Sequence, residues 1–271
     1  MQAIASRTGR LRRQHSCLRR FGRWQYLPTS SESARHLLQD FIRSARACLN
    51  LAPSGQTPLI LPDGRVLIAG GANDSTAEIY NPVGQTFSFT AGTMSFAAQD
   101  VIASPLVGGK ILIINPDLPA ADIFDPTTQT FKATGSPTTA RTSAASFAVT
   151  LQDGRVLYGG GTKTAEVCDP ATGVFTPTGS MSSDRAFASA TLLPNGQVLV
   201  AGGYTNLYPC YPPCAVNSAD FYDPTTEASA RLMTQGRGPL APVSLADNRV
   251  LIAGSQGCQL TSKHRSDRRN L

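Results

Sequence analysis

Three histidines, six cysteines and a set of evenly spaced aspartates are the residues of this 271-residue chain best equipped for chemistry. His15, His36 and His264 all lie towards the ends, so the stretch 57–254 contains no histidine. A Ser-His-Asp or Cys-His arrangement is therefore excluded within that stretch, as is a His-based metal centre. Asp125, Asp169 and Asp223 each precede a proline and recur at one phase. A carboxylate repeated in this way reads as a turn device, its oxygen accepting a backbone N–H, rather than as a catalyst. Cys210 and Cys214 flank Tyr-Pro-Pro and are paired by spacing. A local disulfide stiffening that loop suits an oxidising compartment, and free thiols are the other reading. Zinc lacks a second cysteine pair or a nearby histidine. No catalytic set, metal site or cofactor is expected.

The elements that carry these residues are set by a phrase returning about every 45 residues, within the range of one reused supersecondary unit. Asp63-Gly64-Arg65-Val66-Leu67-Ile68-Ala69-Gly70-Gly71 recurs at Asp153–Gly161 and Asn195–Gly203, with a degenerate copy at Gly109–Ile114 and a shortened one at Asp247–Gly254. A second phrase keeps the beat: Ala77-Glu78-Ile79-Tyr80-Asn81-Pro82 returns at Ala121–Pro126, Ala165–Pro170 and Ala219–Pro224. An aromatic follows in three copies as Phe87, Phe131 and Phe175, and a Gly-Thr or Gly-Ser step leads to Met94, Pro137 and Met181. Cys168 takes the position of Tyr80, Phe124 and Tyr222 and reads as a small core residue.

Each unit reads as four short strands. The first, such as Phe187 to Leu193, ends in an Asp-Gly or Asn-Gly turn, which calls for positive φ at both central residues. The second is a continuous apolar run ended by a glycine pair that permits positive φ or close backbone approach. Asp/Asn-Pro stops the third, and the fourth surrounds the phenylalanine. No unit holds a 3.6-period stretch long enough for a helix pair, so the repeats predict propeller blades.

On these phrases the chain resembles the kelch-repeat β-propellers, most closely bacterial kelch proteins related to the central domain of galactose oxidase. The likeness rests on Gly70-Gly71, Gly160-Gly161 and Gly202-Gly203, and on the spaced aromatics Tyr80/Phe87, Phe124/Phe131 and Tyr222. Asn115-Pro116 replaces one glycine pair, and phenylalanine stands where the family has tryptophan. The resemblance implies an all-β, kelch-type propeller of four blades plus part of a fifth over 57–254. A basic, partly helical or disordered extension (1–56) precedes it and a basic tail (255–271) follows. Kelch rings close with six or seven blades, which leaves three readings: a fragment of a longer frame, a ring completed by self-association, or a strained small ring. The oxidase relatives imply a copper radical site of His and Tyr ligands, which the histidine-free repeats do not supply as a set.

Residues 1–50 carry ten Arg, no Lys and only Glu32 and Asp40, so the net charge of +6 belongs to the ends, and the repeats are mildly acidic. An Arg-rich arm without a binding fold reads as a solvated tail rather than a nucleic-acid site. Ser33 to Leu49 has the spacing of one amphipathic helix. Arginine interrupts any signal-peptide core, and no run approaches transmembrane length. The family resemblance alone points to export or the cell envelope.

The loops joining second to third strands and fourth to first strands emerge on one side of such a blade. In the fourth unit the former lengthens to Tyr204–Ser218, bringing Tyr204, Asn206, Tyr208, Tyr211 and the cysteine pair. The latter place Arg141, Arg185 and Arg237 at one repeated position. Aromatics and arginines on loops of a rigid scaffold are typical binding anchors. The arginines have a second reading, as a repeat feature pairing with acids of neighbouring blades. The function expected is a non-catalytic binding or scaffold module engaging a protein or glycan. The alternative is part of a galactose-oxidase-like carbohydrate- or alcohol-oxidising enzyme.

Overall fold

The structure, a computed structural model, describes residues 57–71, 73–141, 145–205, 214–216, 218–231, 237–244 and 250–256. The basic extension 1–56, with the helix expected over Ser33 to Leu49, and the tail beyond 256 lie outside these residues. Every named element is a β-strand, and none of the described residues forms a helix long and apolar enough to cross a membrane.

Four four-stranded antiparallel sheets follow one another along the chain. The first holds β1 (Thr57–Ile60), β2 (Val66–Ala69), β3 (Ala77–Asn81) and β4 (Thr86–Phe89), paired in that order. The second holds β5 (Ile102–Pro105), β6 (Ile111–Asn115), β7 (Ala120–Asp125) and β8 (Thr130–Ala133). The third holds β9 (Ser146–Thr150), β10 (Val156–Gly160), β11 (Thr162–Asp169) and β12 (Val174–Thr178). In the fourth, β13 (Ser189–Leu192), β14 (Val198–Ala201), β17 (Ala219–Asp223) and β18 (Ala228–Arg231) pair in sequence. A short ribbon of β15 (Tyr204–Thr205) and β16 (Cys214–Ala215) interrupts it. The hairpin β19 (Arg237–Ser244) and β20 (Val250–Gln256) ends the described chain. First strands lie beside first strands: β1 by β5, β5 by β9, β9 by β13 and β13 by β19. The arrangement is propeller-like.

The two sequence phrases keep phase in space. Val66, Ile111, Val156, Val198 and Val250 each open the second strand of their sheet or hairpin. The first four pair with Tyr80, Phe124, Cys168 and Tyr222 respectively. β2, β6, β10 and β14 are buried along their length, as continuous apolar runs require, whereas β4 and β8 are largely exposed and form outer rims.

Alternate residues of each inner strand face opposite neighbours, so three layers of the core lie between the four sheets, with smaller clusters around Tyr80 on the first sheet and Leu199 on the fourth. Leu67, Ala77 and Ile79 meet Ile111, Ile113 and Phe124 between the first and second sheets. Leu112, Ile114 and Ala121 meet Val156, Tyr158, Cys168 and Phe175 between the second and third. Leu157, Ala165 and Val167 meet Val198, Val200 and Tyr222 between the third and fourth.

The turn after β1 differs from the two-residue form expected. Gly64 takes φ 83°, but Asp63 does not take a positive φ. The Gly64 N–H donates to the Leu61 carbonyl at 2.9 Å and the Leu61 N–H to the Arg65 carbonyl at 2.8 Å. This is a three-residue loop, a type I turn closed by a glycine bulge. Pro62 suits its first corner, and the Asp63 carboxylate accepts the Arg65 N–H at 3.0 Å. The same backbone bonds recur at Leu151–Arg155 and Leu193–Gln197.

The Asp-Pro turns behave as the repeat phase indicated. Asp125, Asp169 and Asp223 each accept the N–H two residues on, at 2.9 Å. Where Asn115 replaces a glycine pair, its amide does the closing instead. Its Oδ1 accepts the Asp117 and Leu118 N–H groups and its Nδ2 donates to the Ala97 carbonyl at 3.2 Å.

Candidate functional site

Arg141 and Arg185 are deeply buried, and their side chains turn into the sheets rather than out to a ligand. Arg185 donates from Nε and Nη2 to the Asp220 carboxylate at 3.1 and 2.7 Å. Arg141 lies 3.5 Å from Glu166 and donates to the Gly160 carbonyl at 2.9 Å. It also sits 5.2 Å from the centre of the Tyr158 ring, in cation–π range. Both acids belong to the third strand of the arginine's own sheet, not to a neighbouring one as expected. Each arginine precedes its sheet's first strand, so its side chain reaches inward across that sheet. Arg237 opens β19, and its side chain lies outside the described residues.

These acids form a repeated set that the sequence reading passed over. Glu78, Asp122, Glu166 and Asp220 occupy the same third-strand position and are at most 1 % exposed. Each of the last three holds the loop leading into its sheet. Asp122 accepts the Ser95 N–H and hydroxyl, both at 2.6 Å. Glu166 accepts the Thr138 N–H at 2.7 Å, the Thr138 hydroxyl at 2.9 Å and the Thr139 N–H at 3.2 Å. Asp220 accepts the Ser182 N–H and hydroxyl, both at 3.2 Å. The available signal was an acid at the second place of every Ala-Glu/Asp phrase, inside a strand that is otherwise apolar.

The insertion of the fourth sheet is built outward from this scaffold. Tyr204 pairs with Ala186 through two backbone hydrogen bonds of 2.8 Å, and Tyr204 and Thr205 face Ala215 and Cys214 across the ribbon. The Val216 N–H returns to the Gly203 carbonyl at 2.8 Å. A Cβ on Gly203 would lie 2.6 Å from the Ala186 carbonyl oxygen, so this close approach needs glycine. Phe187, read from sequence as the start of a strand, instead has φ 59° and lies outside β13. Its half-buried ring meets the half-buried Tyr204 ring edge to face, centroids 6.3 Å apart. A non-glycine residue held in this backbone region stores strain and marks a site to which function is often attached. Of the predicted binding residues, Tyr204 is thus at the base of the ribbon. Asn206, Tyr208, Cys210 and Tyr211 lie outside the described residues, and with them the Cys210–Cys214 pairing.

Cys168 is a buried free thiol, and burial pushes its pKa up to about 12. The third sheet takes its large ring from β10 instead: Tyr158 meets Phe175 edge to face at 6.4 Å. In the first two sheets the ring comes from the third strand, as Tyr80 with Phe87 at 4.9 Å and Phe124 with Phe131 at 4.7 Å.

No protein-family model matches the sequence, and a comparison with curated proteins gives no match. Among solved structures, the chain is similar to a fungal alcohol oxidase of the AA5 family, in complex with copper, with a TM-score of 0.63 and 18% identity. The likeness covers 79% of this chain and 51% of that one, so the chain spans about half the neighbour's length. The fold is therefore all-β and similar to that of a galactose-oxidase-family enzyme.

Proposed function

We propose that this chain is a kelch-type propeller module that binds a protein or glycan without catalysing a reaction. The ribbon of the fourth sheet serves as its recognition element, with Tyr204 and Phe187 at its base. The observation that carries the reading is the ribbon itself, a single insertion pinned by backbone bonds onto an otherwise repeating scaffold. Aromatic rings there offer large contact area at low entropic cost. Blade completion, through further chain or a second copy, belongs to the same proposal, because a propeller hides its edges by closing.

The alternative, a part of an alcohol- or carbohydrate-oxidising enzyme, draws support from the structural neighbour alone. That neighbour holds copper, but no group of three or more His, Cys, Asp or Glu among the described residues is placed to hold a metal ion. Among the described residues the donor set does not fit copper.

An array of mono- and oligosaccharides probed with the full chain tests the glycan arm. The same array is probed with a variant in which Tyr204–Ser218 is cut to the length of the third sheet's link. Binding lost in the shortened, folded variant supports the reading, and undiminished binding refutes the ribbon as recognition element. Peroxide formation from galactose with copper(II) added would instead favour the oxidase.

A further inference from the structure

The two buried arginines invite comparison, because the same device meets a short link in one sheet and a long insertion in the next. In the third sheet, Arg141 donates to the Gly160 carbonyl and to the Thr162 and Thr164 hydroxyls, at 2.9, 3.0 and 3.2 Å. Those groups sit on either side of the tight link between β10 and β11. In the fourth sheet the corresponding groups are the two ends of the insertion. Arg185 Nη1 donates to the Gly202 carbonyl at 3.1 Å on the outgoing leg and to the Ser218 carbonyl at 2.6 Å on the returning leg. Its Nη2 donates to the Ser218 hydroxyl at 2.6 Å.

We infer that Arg185 is the positioning residue of the ribbon, a buried fork that clamps both legs of the insertion and so fixes where Tyr204 stands. A planar guanidinium suits the task, since it presents five donors in a fixed fork. Asp220 neutralises and orients the fork through Nε and Nη2, while Nη1 is left to hold the two carbonyls. The legs are then closed a second time by the Val216–Gly203 bond, and Tyr204 is laid against Ala186. Arg185 touches no ligand in this account. It acts through the ribbon, and its consequence for recognition rests on the function proposed above.

Backbone amide exchange in the full chain tests the clamp without any ligand. Arg185→Lys keeps the charge but cannot fork, and should speed exchange at Tyr204 and Val216 about tenfold or more. Arg141→Lys removes an equally buried fork from the other sheet and should leave those two amides unchanged. Asp220→Asn keeps the fork on both legs but removes its counter-charge, so the ribbon amides should lose no more protection than the amides of β14 and β17. Unchanged exchange in Arg185→Lys would overturn the inference, as would equal acceleration by Arg141→Lys. If Arg185→Lys fails to fold, Asp220→Asn decides: loss of ribbon protection beyond that of β14 and β17 would make the charge pair, not the fork, the organising element. On the saccharide array, a shortened ribbon that still binds sinks the functional proposal but leaves the exchange result, and hence the clamp, standing.

Discussion

Glu166 and Asp169 lie three residues apart on β11, are both acids repeated once per unit, and should differ sharply when truncated. Glu166 accepts three hydrogen bonds from Thr138 and Thr139 and faces Arg141, with both side chains of the pair almost wholly out of water. Removing the carboxylate leaves a buried guanidinium without its counter-charge and orphans the loop N–H groups. A broken buried pair of this kind costs about 3–5 kcal/mol. Asp169 accepts a hydrogen bond from the Ala171 N–H at a turn near the surface, and its loss costs about 0.5–1.5 kcal/mol. Glu166→Ala should therefore exceed Asp169→Ala by about 1.5 kcal/mol or more. Urea denaturation read by circular dichroism gives the comparison from midpoints at unchanged slope. Glu166→Gln, which keeps an acceptor oxygen, should fall between the two and supplies a measurable variant if Glu166→Ala does not fold. Arg141→Met combined with Glu166→Gln should cost less than the sum of the single changes, because it leaves no unpaired charge. Equal losses for Glu166→Ala and Asp169→Ala, or strict additivity in the double variant, would refute the buried-pair account.

The exchange of ring position in the third sheet predicts a second coupling. Cys168→Tyr should overpack the layer by about 1–3 kcal/mol, and Tyr158→Ile added to it should recover part of that loss in the same urea assay. In acid, the Thr127 N–H holds the Asp125 carboxyl below its ordinary 3.8, and the Thr225 hydroxyl does the same for Asp223. Their stabilisation is present above the unfolded value and lost as pH falls through the folded one. Melting temperatures from pH 5 to 2 should therefore fall less steeply in Asp125→Asn/Asp223→Asn than in the parent. At pH 8 the Cys168 thiol, raised to about 12 by burial, should resist alkylation until the sheets separate. Peptide mapping after iodoacetamide treatment in rising urea checks this, and labelling of Cys168 in the native protein would contradict its placement. Burial likewise pushes the Tyr158 phenol up to about 12 from 10.0. The share of stability that depends on a neutral Tyr158 should be intact below pH 10 and decline as pH rises from there, because the unfolded chain's tyrosine ionises first, and Tyr158→Phe should soften the decline.

What the sequence revealed follows from how local the cause is. A turn followed by an apolar strand is decided by neighbours along the chain, so the phase of Val66, Ile111, Val156, Val198 and Val250 could be read directly. The Asp-Pro turns were legible for the same reason, since Asp169 bonds two residues onward. Phe187 reads as strand from the sequence because the apolar run continues through it. Only the approach of Gly203 and Tyr204 from seventeen residues away pulls its backbone out of the strand. The buried acids escaped for a further reason. Glu166 and Asp220 violate the burial pattern of their strands, and their compensation comes from Thr138, Ser182 and two arginines that reach them only in three dimensions. The same absence of spatial information sent the arginines to neighbouring units in the sequence reading.

An insertion on this scaffold is inexpensive, which bears on why the fourth sheet could acquire one. The link from Gly70 to Thr76 in the first sheet is somewhat under half the length of that from Gly202 to Ser218 in the fourth. Each doubling of a flexible loop costs only about 0.6 kcal/mol in closure entropy. Against this stand the charge-assisted bonds from Arg185 to Gly202 and Ser218, which resemble those Arg141 already makes in a sheet with no insertion. The same buried fork therefore serves a short link in the third sheet and a long one in the fourth. Lengthening the chain between its two legs leaves the sheet's register intact, with Val198 still opposite Tyr222 and Ala201 opposite Ala219. On the function proposed above, surface added between the legs would stand on a fixed base, as a recognition loop on a rigid scaffold requires.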